Sequence, residues 1–341
     1  MSPDQPKARV ANIFDVARLA GVSPQTVSRV VNESPNVRPA TRQRVEDAIR
    51  QLRYRPSTAA RALVTKRSRT IGLITTGRLA YGPSSVLLAF SDAARQARYA
   101  VSIASMVEAD AESMQSSVEL LLGQNVEAIV LVAAHRSALD AMQTIELGTP
   151  LIAVESTGRA GFHSVSIDQF TGARAATDYL VSLGHRDILH VAGPRDSVDA
   201  AEREQGWRAS LSEHGLVARE PLVSDWSPSS GYRIGLELVR DPAFTAVFAG
   251  NDETALGLIH AFRDSGLEVP GDISVVGFDD IPEAEHFAPA LTTVRQDFAE
   301  LGRHIMSTLI DLLRDGEDLV HPQIAPTLIE RASAAPPTGR R

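Results

Sequence analysis

The stretch Asn12-Ile-Phe-Asp-Val-Ala-Arg-Leu-Ala-Gly-Val-Ser-Pro-Gln-Thr-Val-Ser-Arg-Val-Val-Asn32 reads as two short helices joined by a tight turn. Asn12 is of a type that caps a helix N-terminus, and Asp15 puts negative charge in the first turn, where the helix dipole favours it. The first helix runs to about Ala20, and Gly21 follows where a left-handed exit is needed. Ser23-Pro24 then supplies an N-cap and a proline at the first helical position, where its missing N–H leaves no bond unmade. On the second helix Val27, Val30 and Val31 form an apolar face, while Gln25, Thr26, Ser28 and Arg29 project from the other side. Gln25 and Arg29 are one turn apart, so both reach the same groove.

A third helix is predicted over Thr41 to Leu52, with Val45, Ala48, Ile49 and Leu52 on one face. Three such helices share a small core, and a polar second helix outside that core suits a helix-turn-helix reader of the DNA major groove. There Arg engages guanine and Gln engages adenine bidentately, while Ser23 and the helix N-terminus can meet phosphate. The pattern also fits a plain helical hairpin with an exposed polar face. Charge favours the first reading. Up to Arg69 the chain holds 14 Lys or Arg against 5 Asp or Glu, a balance of +9; the rest holds 20 against 37, or −17, so the net −8 conceals a basic amino-terminal block. Such a block is a local footprint for a polyanion.

After Tyr54, Pro56 forces an extended entry, Ser57 can cap, and Thr58 to Val64 favours a helix too short to be stable alone. A marginal helix that forms only against DNA and a second subunit is a physical switch, with Leu63 available to wedge between base steps in the minor groove. The alternative is a flexible basic linker ending in Thr65 to Arg69.

From Thr70 the pattern changes to short β-rich runs separated by helical stretches: Ile71 to Ile74, Ala100 to Ile103, Ala128 to Val132 and Leu151 to Val154, then Ile188 to Val191, Ala246 to Phe248 and Ile273 to Val276. This alternation predicts parallel sheets with right-handed crossovers and helices on both faces, with ligands at the carboxyl ends of the strands. At 341 residues the chain accommodates one small module and one or two larger lobes. No apolar run approaches the roughly 20 residues that cross a bilayer. Met1 to Val10 lacks the apolar core of a secretory signal, and there are no cysteines; together these point to the cytoplasm. There is no GxGxxG after a strand, no GxxxxGK and no cysteine nucleophile, and the nine histidines include no pair at metal-ligand spacing. No enzymatic activity, cofactor or metal is therefore expected. His185, after a predicted helix, reads as satisfying a turn or a helix end.

Glu155, Arg203, Trp226, Asn251, Asp279 and Gln296 all fall at predicted strand ends or the loops after them. A sugar needs such a mixture: hydroxyls are met by carboxylate acceptors and Arg or Asn donors, while an indole covers the apolar ring face. Other roles stand beside this one. Asp279 and Asn251 could cap the helices that follow, Arg203 could pair with a nearby carboxylate, and Trp207 reads as core.

The run Asp15 to Asn32 resembles the LacI/GalR repressor family, and the resemblance covers the chain to about Arg331. It is carried also by Ser105-Met-Val-Glu108, Ser197 to Trp207, Asp225-Trp-Ser227, Asn251-Asp252, Gly277-Phe-Asp-Asp280 and Leu291-Thr-Thr-Val-Arg-Gln-Asp-Phe298. It implies an all-α helix-turn-helix headpiece and an α/β periplasmic-binding-protein-like core of two doubly wound parallel-sheet lobes. The implied divisions are a headpiece over 1–55, a hinge over 56–69 and a core over 70–331. Within the core the N-lobe takes 70–167 and 296–325, the C-lobe 168–295 and 326–331. The last ten residues, 332–341, contain no heptads and read as a disordered tail, which argues against a coiled-coil tetramer.

The resemblance further implies a homodimeric repressor of a near-palindromic double-stranded operator, controlled by a small carbohydrate, an inducing and galactoside-like sugar in one reading. It places Pro24, Gln25 and Arg29 at base-reading positions, with Asn12, Ser23, Thr26, Ser28, Asn32, Ala60 and Leu63 completing the DNA contacts. It gives hydrogen bonding of effector to Arg203, Asn251 and Asp279, stacking to Trp226, and a place beside the effector at the lobe crossover to Gln296 and Phe298. Three departures bear on specificity: Pro24 stands for a tyrosine of the sugar-responsive pattern, Glu155 for an aspartate and Val132 for an asparagine. Alternatives are a non-sugar or corepressing ligand, as in purine-responsive members, a sugar-binding transport protein, whose export signal is missing, and a doubly wound enzyme, whose cofactor motifs are missing.

Overall fold

A computed structural model describes residues 11–31, 34–54, 67–76, 80–133, 135–240, 244–314 and 323–338. Asn32, Ala60, Leu63 and nearly all of the expected hinge lie outside the described residues. The chain divides into two compact units, Met1–Ser68 and Arg69–Arg341.

In the first unit α1 (Ile13–Ala20) begins with a capping box: Asn12 Oδ1 accepts from the backbone N–H groups of Phe14 at 2.9 Å and Asp15 at 3.1 Å, and the Asp15 carboxylate accepts from Asn12 N at 3.0 Å. These bonds satisfy N–H groups that no helical carbonyl can reach. Gly21 leaves the helix at φ 64°. α2 (Pro24–Val31) starts at Ser23, whose Oγ accepts from Thr26 N at 3.2 Å. α3 (Pro39–Leu52) begins two residues earlier than the sequence suggested, because Pro39 sits at its N-terminus with its φ already fixed. Val16, Ala17, Ala20, Val27, Val30, Val45 and Ala48 are buried together; each valine so buried contributes about 1.5–3 kcal/mol.

The second unit holds two parallel sheets. In one lobe β1 (Thr70–Thr76), β2 (Ala100–Met106), β3 (Ala128–Val132), β4 (Leu151–Val154) and β5 (His163–Val165) take the order β2-β1-β3-β4-β5. Strand alternation sends Ile71, Leu73 and Val130 towards α4 (Tyr81–Gln96) and α11 (Phe298–Arg314), where Phe90 and Ile305 meet them. The other face, with Ile74, Ile129 and Leu131, is covered by Met114, Leu121 and Leu139 of α5 (Ala111–Gly123) and α6 (Arg136–Gln143).

In the second lobe β6 (Ile188–Ala192), β7 (Leu222–Val223), β8 (Ala246–Ala249) and β9 (Ser274–Val276) take the order β7-β6-β8-β9. α7 (Gln169–Ser182) and α8 (Val198–Glu213) pack Leu180, Trp207 and Leu211 on one face. α9 (Pro228–Leu238) and α10 (Asp252–Asp264) pack Ile234, Leu258 and Phe262 on the other. The seven strand runs read from the sequence are all present. β5, β7 and the antiparallel pair β10 (Thr293–Arg295) and β11 (Thr327–Ile329) were not anticipated.

The chain passes between the lobes three times, and two of the passages are tied to each other: Asp168 N donates to Ile324 O at 2.9 Å and Ile324 N to Ser166 O at 3.0 Å. Where β10 leads into the third, Asp279 N donates to Val294 O at 2.8 Å.

The expected disordered tail is corrected by the structure over Ala332–Thr338. Ser333 is buried; its Oγ accepts from Thr292 N at 2.8 Å and donates to Val275 O at 2.5 Å. Val275 N donates to Ser333 O at 2.8 Å, so the segment lies along the outer side of β9. His185 closes the arrangement: its ring nitrogens meet Thr245 Oγ1 at 2.8 Å and, at 3.0 Å each, Ser274 Oγ and Ala335 O. An Ala- and Pro-rich segment shows no periodicity, and backbone pairing of this kind leaves none to read.

Candidate functional site

On α2 the valines that face the core decide what faces outward. Val27 and Val30 are buried, Gln25 and Arg29 are exposed with Ser23, and Pro24, Thr26 and Ser28 are partly covered. Ser23 Oγ and Thr26 Oγ1 lie 3.0 Å apart at the helix start, and the helix carries no acidic residue. The outward face thus joins a positive helix N-terminus to one guanidinium and one amide, with no carboxylate to repel a phosphate backbone. Asn12 spends its side-chain oxygen on capping.

Between the two lobes of the second unit lies a cleft of about 910 Å³, counting the space open to solvent, within the range of small-molecule sites. Glu155, Arg203, Trp226, Asn251, Asp279, Gln296 and Phe298 all line it. Most stand at carboxyl ends of strands or in the turns after them, where unpaired strand termini open a crevice.

Trp226 is held by its surroundings. Its backbone has φ 69°, a left-handed value that costs a bulky residue energy. Asn251 Nδ2 donates to its carbonyl at 3.1 Å, while Asn251 Oδ1 caps α10 by accepting from Thr254 N at 3.0 Å. The helix-cap role foreseen for Asn251 is therefore real and coexists with its place in the cleft. The indole lies across Gly193, at the end of β6, so closely that a Cβ there would stand 2.0 Å from Cζ2.

Arg203, from α8, is fixed on several sides. Its Nε donates to Gln169 Oε1 at 2.8 Å, Nη1 donates to the Gly250 carbonyl, and Nη2 stands 3.6 Å from Asp279 Oδ1. Its guanidinium carbon lies 3.9 Å from the Phe278 ring centroid. Gln169 Nε2 donates to Gln296 Oε1 at 2.8 Å, and Gln296 Nε2 to Asp279 Oδ1 at 2.6 Å. Arg203, Gln169, Gln296 and Asp279 form a closed polar ring at the base of the cleft, beside the passages between lobes. Burial lifts the Asp279 carboxyl to about 7, against the opposing pull of Arg203 and the Gln296 bond. Beneath it Asp252 is raised well above the carboxylate range, chiefly by burial and then by Asp279. Asp280 instead turns away from the cleft, its nearly buried carboxylate paired with Arg295 at 2.6 Å and Arg331 at 2.7 Å. Asp279 caps no helix.

Glu155 departs from the role of an open acceptor. Its Oε2 accepts from Thr157 N at 2.7 Å and Thr157 Oγ1 at 2.5 Å, and its Oε1 from Arg159 N at 3.2 Å and from Ser164 Oγ. Four donors fill a carboxylate, so Glu155 orders its own loop. Phe298 meets Tyr81 edge to face, with ring centroids 5.9 Å apart. Trp207 is fully buried, as core.

Tyr81, Gln169, Ser197 and Asp199 also line the cleft and were missed. Each sits at or near a helix start, and only the facing of the lobes brings them in. The one available signal was positional, a polar residue just after a strand-to-helix turn. Across the open side, Arg136 N donates to Asp196 O at 3.0 Å, Ser137 Oγ to Asp196 Oδ2 at 2.9 Å and Ser156 Oγ to Asp199 Oδ1 at 3.2 Å. Among the described residues no cluster suits a metal ion, and no helix is long and apolar enough to cross a membrane.

The pattern of the lacI family of bacterial regulatory proteins matches residues 12–57, and that of a periplasmic binding protein-like domain matches residues 177–334. The lactose operon repressor of Escherichia coli (strain K12) is 32% identical over 332 residues, 95% of this chain and 91% of that protein. The HTH-type transcriptional repressor PurR of Erwinia tasmaniensis (strain DSM 17950 / CFBP 7177 / CIP 109463 / NCPPB 4357 / Et1/99) is 34% identical over 333 residues, 96% and 97% of the two chains. Among solved structures, the lac repressor dimer bound to operator and the anti-inducer ONPF superimposes with a TM-score of 0.87 at 31% identity, covering 96% of this chain and all of that one. A complex of the transcriptional regulator CelR with cellobiose gives 0.71 at 31% identity, covering 95% of this chain and 100% of that one. With both units matched and the likeness running through nearly the whole sequence, the chain belongs to the lacI family of bacterial regulatory proteins.

Proposed function

We propose that this regulator represses transcription by binding a near-palindromic operator as a homodimer, and that a small carbohydrate in the interlobe cleft weakens that binding. The observation that carries the reading is the polar ring of Arg203, Gln169, Gln296 and Asp279. It lies beside the Trp226 indole and next to the chain's passage between the lobes at Gln296. In this reading Asp279, Arg203 and Asn251 hydrogen-bond sugar hydroxyls, Trp226 stacks on a ring face, and Gln296 and Phe298 sense lobe position. Gln25 and Arg29, with Pro24, read base edges. Ser23, Thr26, Ser28 and Asn12 meet the backbone, and Asn32, Ala60 and Leu63 complete the contact.

A second copy is supported by apolar groups left outside both cores. Leu88 of α4 is 71% exposed and Ile103 of the edge strand β2 49%. In the other lobe Leu256 borders a groove that includes Tyr232, His260 and Phe287. Patches of this kind mark association surfaces. Two headpieces then address two half-sites.

Binding and release are linked: a ligand weakens operator affinity only by the factor by which it prefers the low-affinity arrangement, so a 100-fold loss needs about 2.7 kcal/mol of differential affinity. The test is an operator titration at fixed salt with a panel of mono- and disaccharides and, in parallel, purine bases. Release by a saccharide supports the proposal; affinity unchanged by every saccharide refutes it. The comparable similarity to PurR supports a second reading, a ligand of another class or one that tightens binding. Tightening by a purine base would replace the first reading with that one.

A further inference from the structure

The cleft is more acidic than hydroxyl recognition requires. Glu155, Asp199 and Asp279 line it, against Arg203, the one Lys or Arg among its described lining residues. Arg203 is already committed to Gln169, the Gly250 carbonyl and Asp279, with Phe278 beneath its plane. With Nε and Nη1 already bonded and Asp279 beside Nη2, the guanidinium keeps N–H groups for a hydroxyl but no charge-free fork for a phosphate. Glu155 is filled by its own loop. Asp199 is different: it stands in the first turn of α8, and among the described residues only Ser156 of the facing lobe donates to it. A helix N-terminus ordinarily welcomes an anion. Here Ser197 Oγ already accepts from Ala200 N at 3.3 Å, and Asp199 sets its own negative charge on the dipole. Asp199 is half-buried, so a further anion beside it would meet its charge with less water between them than at the surface.

We infer that Asp199 is the charge discriminator of this cleft: it accepts from the hydroxyls of an uncharged saccharide and turns away the phosphorylated form of the same sugar. The inference rests on the carbohydrate reading above and narrows it to neutral sugars.

The chain has two tryptophans. Trp207 is sealed in the core and Trp226 lines the cleft, so fluorescence reads cleft occupancy directly. Full-length protein is titrated with glucose, galactose, cellobiose, lactose and maltose, each beside its phosphate monoester. The expected result is saturation by at least one neutral sugar and binding of its phosphate monoester at least about ten-fold weaker, as like-charge juxtaposition demands. In Asp199→Asn and Asp199→Ser the gap should narrow to about two-fold. The neutral sugar should lose no more than about five-fold, the loss of one hydrogen bond.

In the unsubstituted protein the gap should also shrink as salt approaches about 1 M, a readout that holds if both variants misfold. A phosphate monoester that binds as tightly as its parent overturns the inference. So does a gap that survives both substitutions in folded protein, or one indifferent to salt, and in these cases the carbohydrate reading stands. A panel in which no neutral sugar saturates refutes both together.

Discussion

Replacing Gly193 by alanine should cripple effector binding without touching the effector. The new Cβ would lie 2.0, 2.2 and 2.5 Å from three atoms of the Trp226 indole, where carbon atoms rest at about 3.5–4.0 Å. The indole must therefore withdraw by about 1.5 Å. Gly193 has no left-handed φ, so alanine adds contact and no backbone strain. Overpacking of this size costs about 1–3 kcal/mol. Trp226 is only partly buried, so it can yield into the cleft, and the cost then falls on ligand affinity, about 5- to 160-fold, more than on folding. Two measurements check this. Calorimetry with the saturating sugar should give the weaker affinity. The emission of the free protein should also change, because Trp207 stays buried and only Trp226 moves. Unchanged affinity and unchanged emission in a protein that melts as before would refute the idea that the indole is seated on that glycine.

Three further outcomes are expected. The Asp279 carboxyl titrates near 7 in the fold against 3.8 ordinarily, so between those values the native state holds a proton that the unfolded chain has released. The stabilisation is fully present below 3.8 and lost as pH rises through about 7. Urea unfolding across that window should show a shallower decline for Asp279→Asn, and equal slopes would contradict the assignment. Ser333→Ala removes one acceptor and one donor inside the C-lobe and should destabilise by about 1–3 kcal/mol in chemical denaturation; a change within about 0.5 kcal/mol, the usual effect of an exposed substitution, would mean the carboxyl-terminal segment is not held. Arg29→Ala should cost about 1–3 kcal/mol of operator affinity and relax preference at one base pair. Uniform weakening across all sequences would reassign Arg29 to the phosphate backbone.

What the sequence disclosed follows from where its information is local. Capping at Asn12 and Ser23, the exit at Gly21 and the valines of α2 are set by neighbours within four residues, and all proved readable. The buried runs in β1, β3, β6 and β8 announce themselves because strands covered on both faces are apolar throughout. β7, with two residues, and β5, β10 and β11, with three each, are too short to show any period. The cleft was half legible. Arg203, Trp226, Asn251, Asp279 and Gln296 gather as anticipated, each at a strand end or supported by family pattern. The bonding of Glu155 was not legible, because Thr157 and Arg159 reach it from the bend after β4 and Ser164 from β5, a strand too short to read. Gln169 was missed because its partner Gln296 is 127 residues away.

The position of the polar ring has a consequence for signalling. In the reading proposed above, the atoms that would register a ligand are anchored on α7, α8 and the turn after β9 and reach the passage between the lobes through Gln296, so one side chain stands between sensing and movement. A hydroxyl that substitutes for one strut of this brace alters the axle itself, and which strut it replaces matters more than how firmly the molecule is gripped. On that reading two ligands of equal affinity would differ as messages, one turning the lever and the other merely occupying the socket.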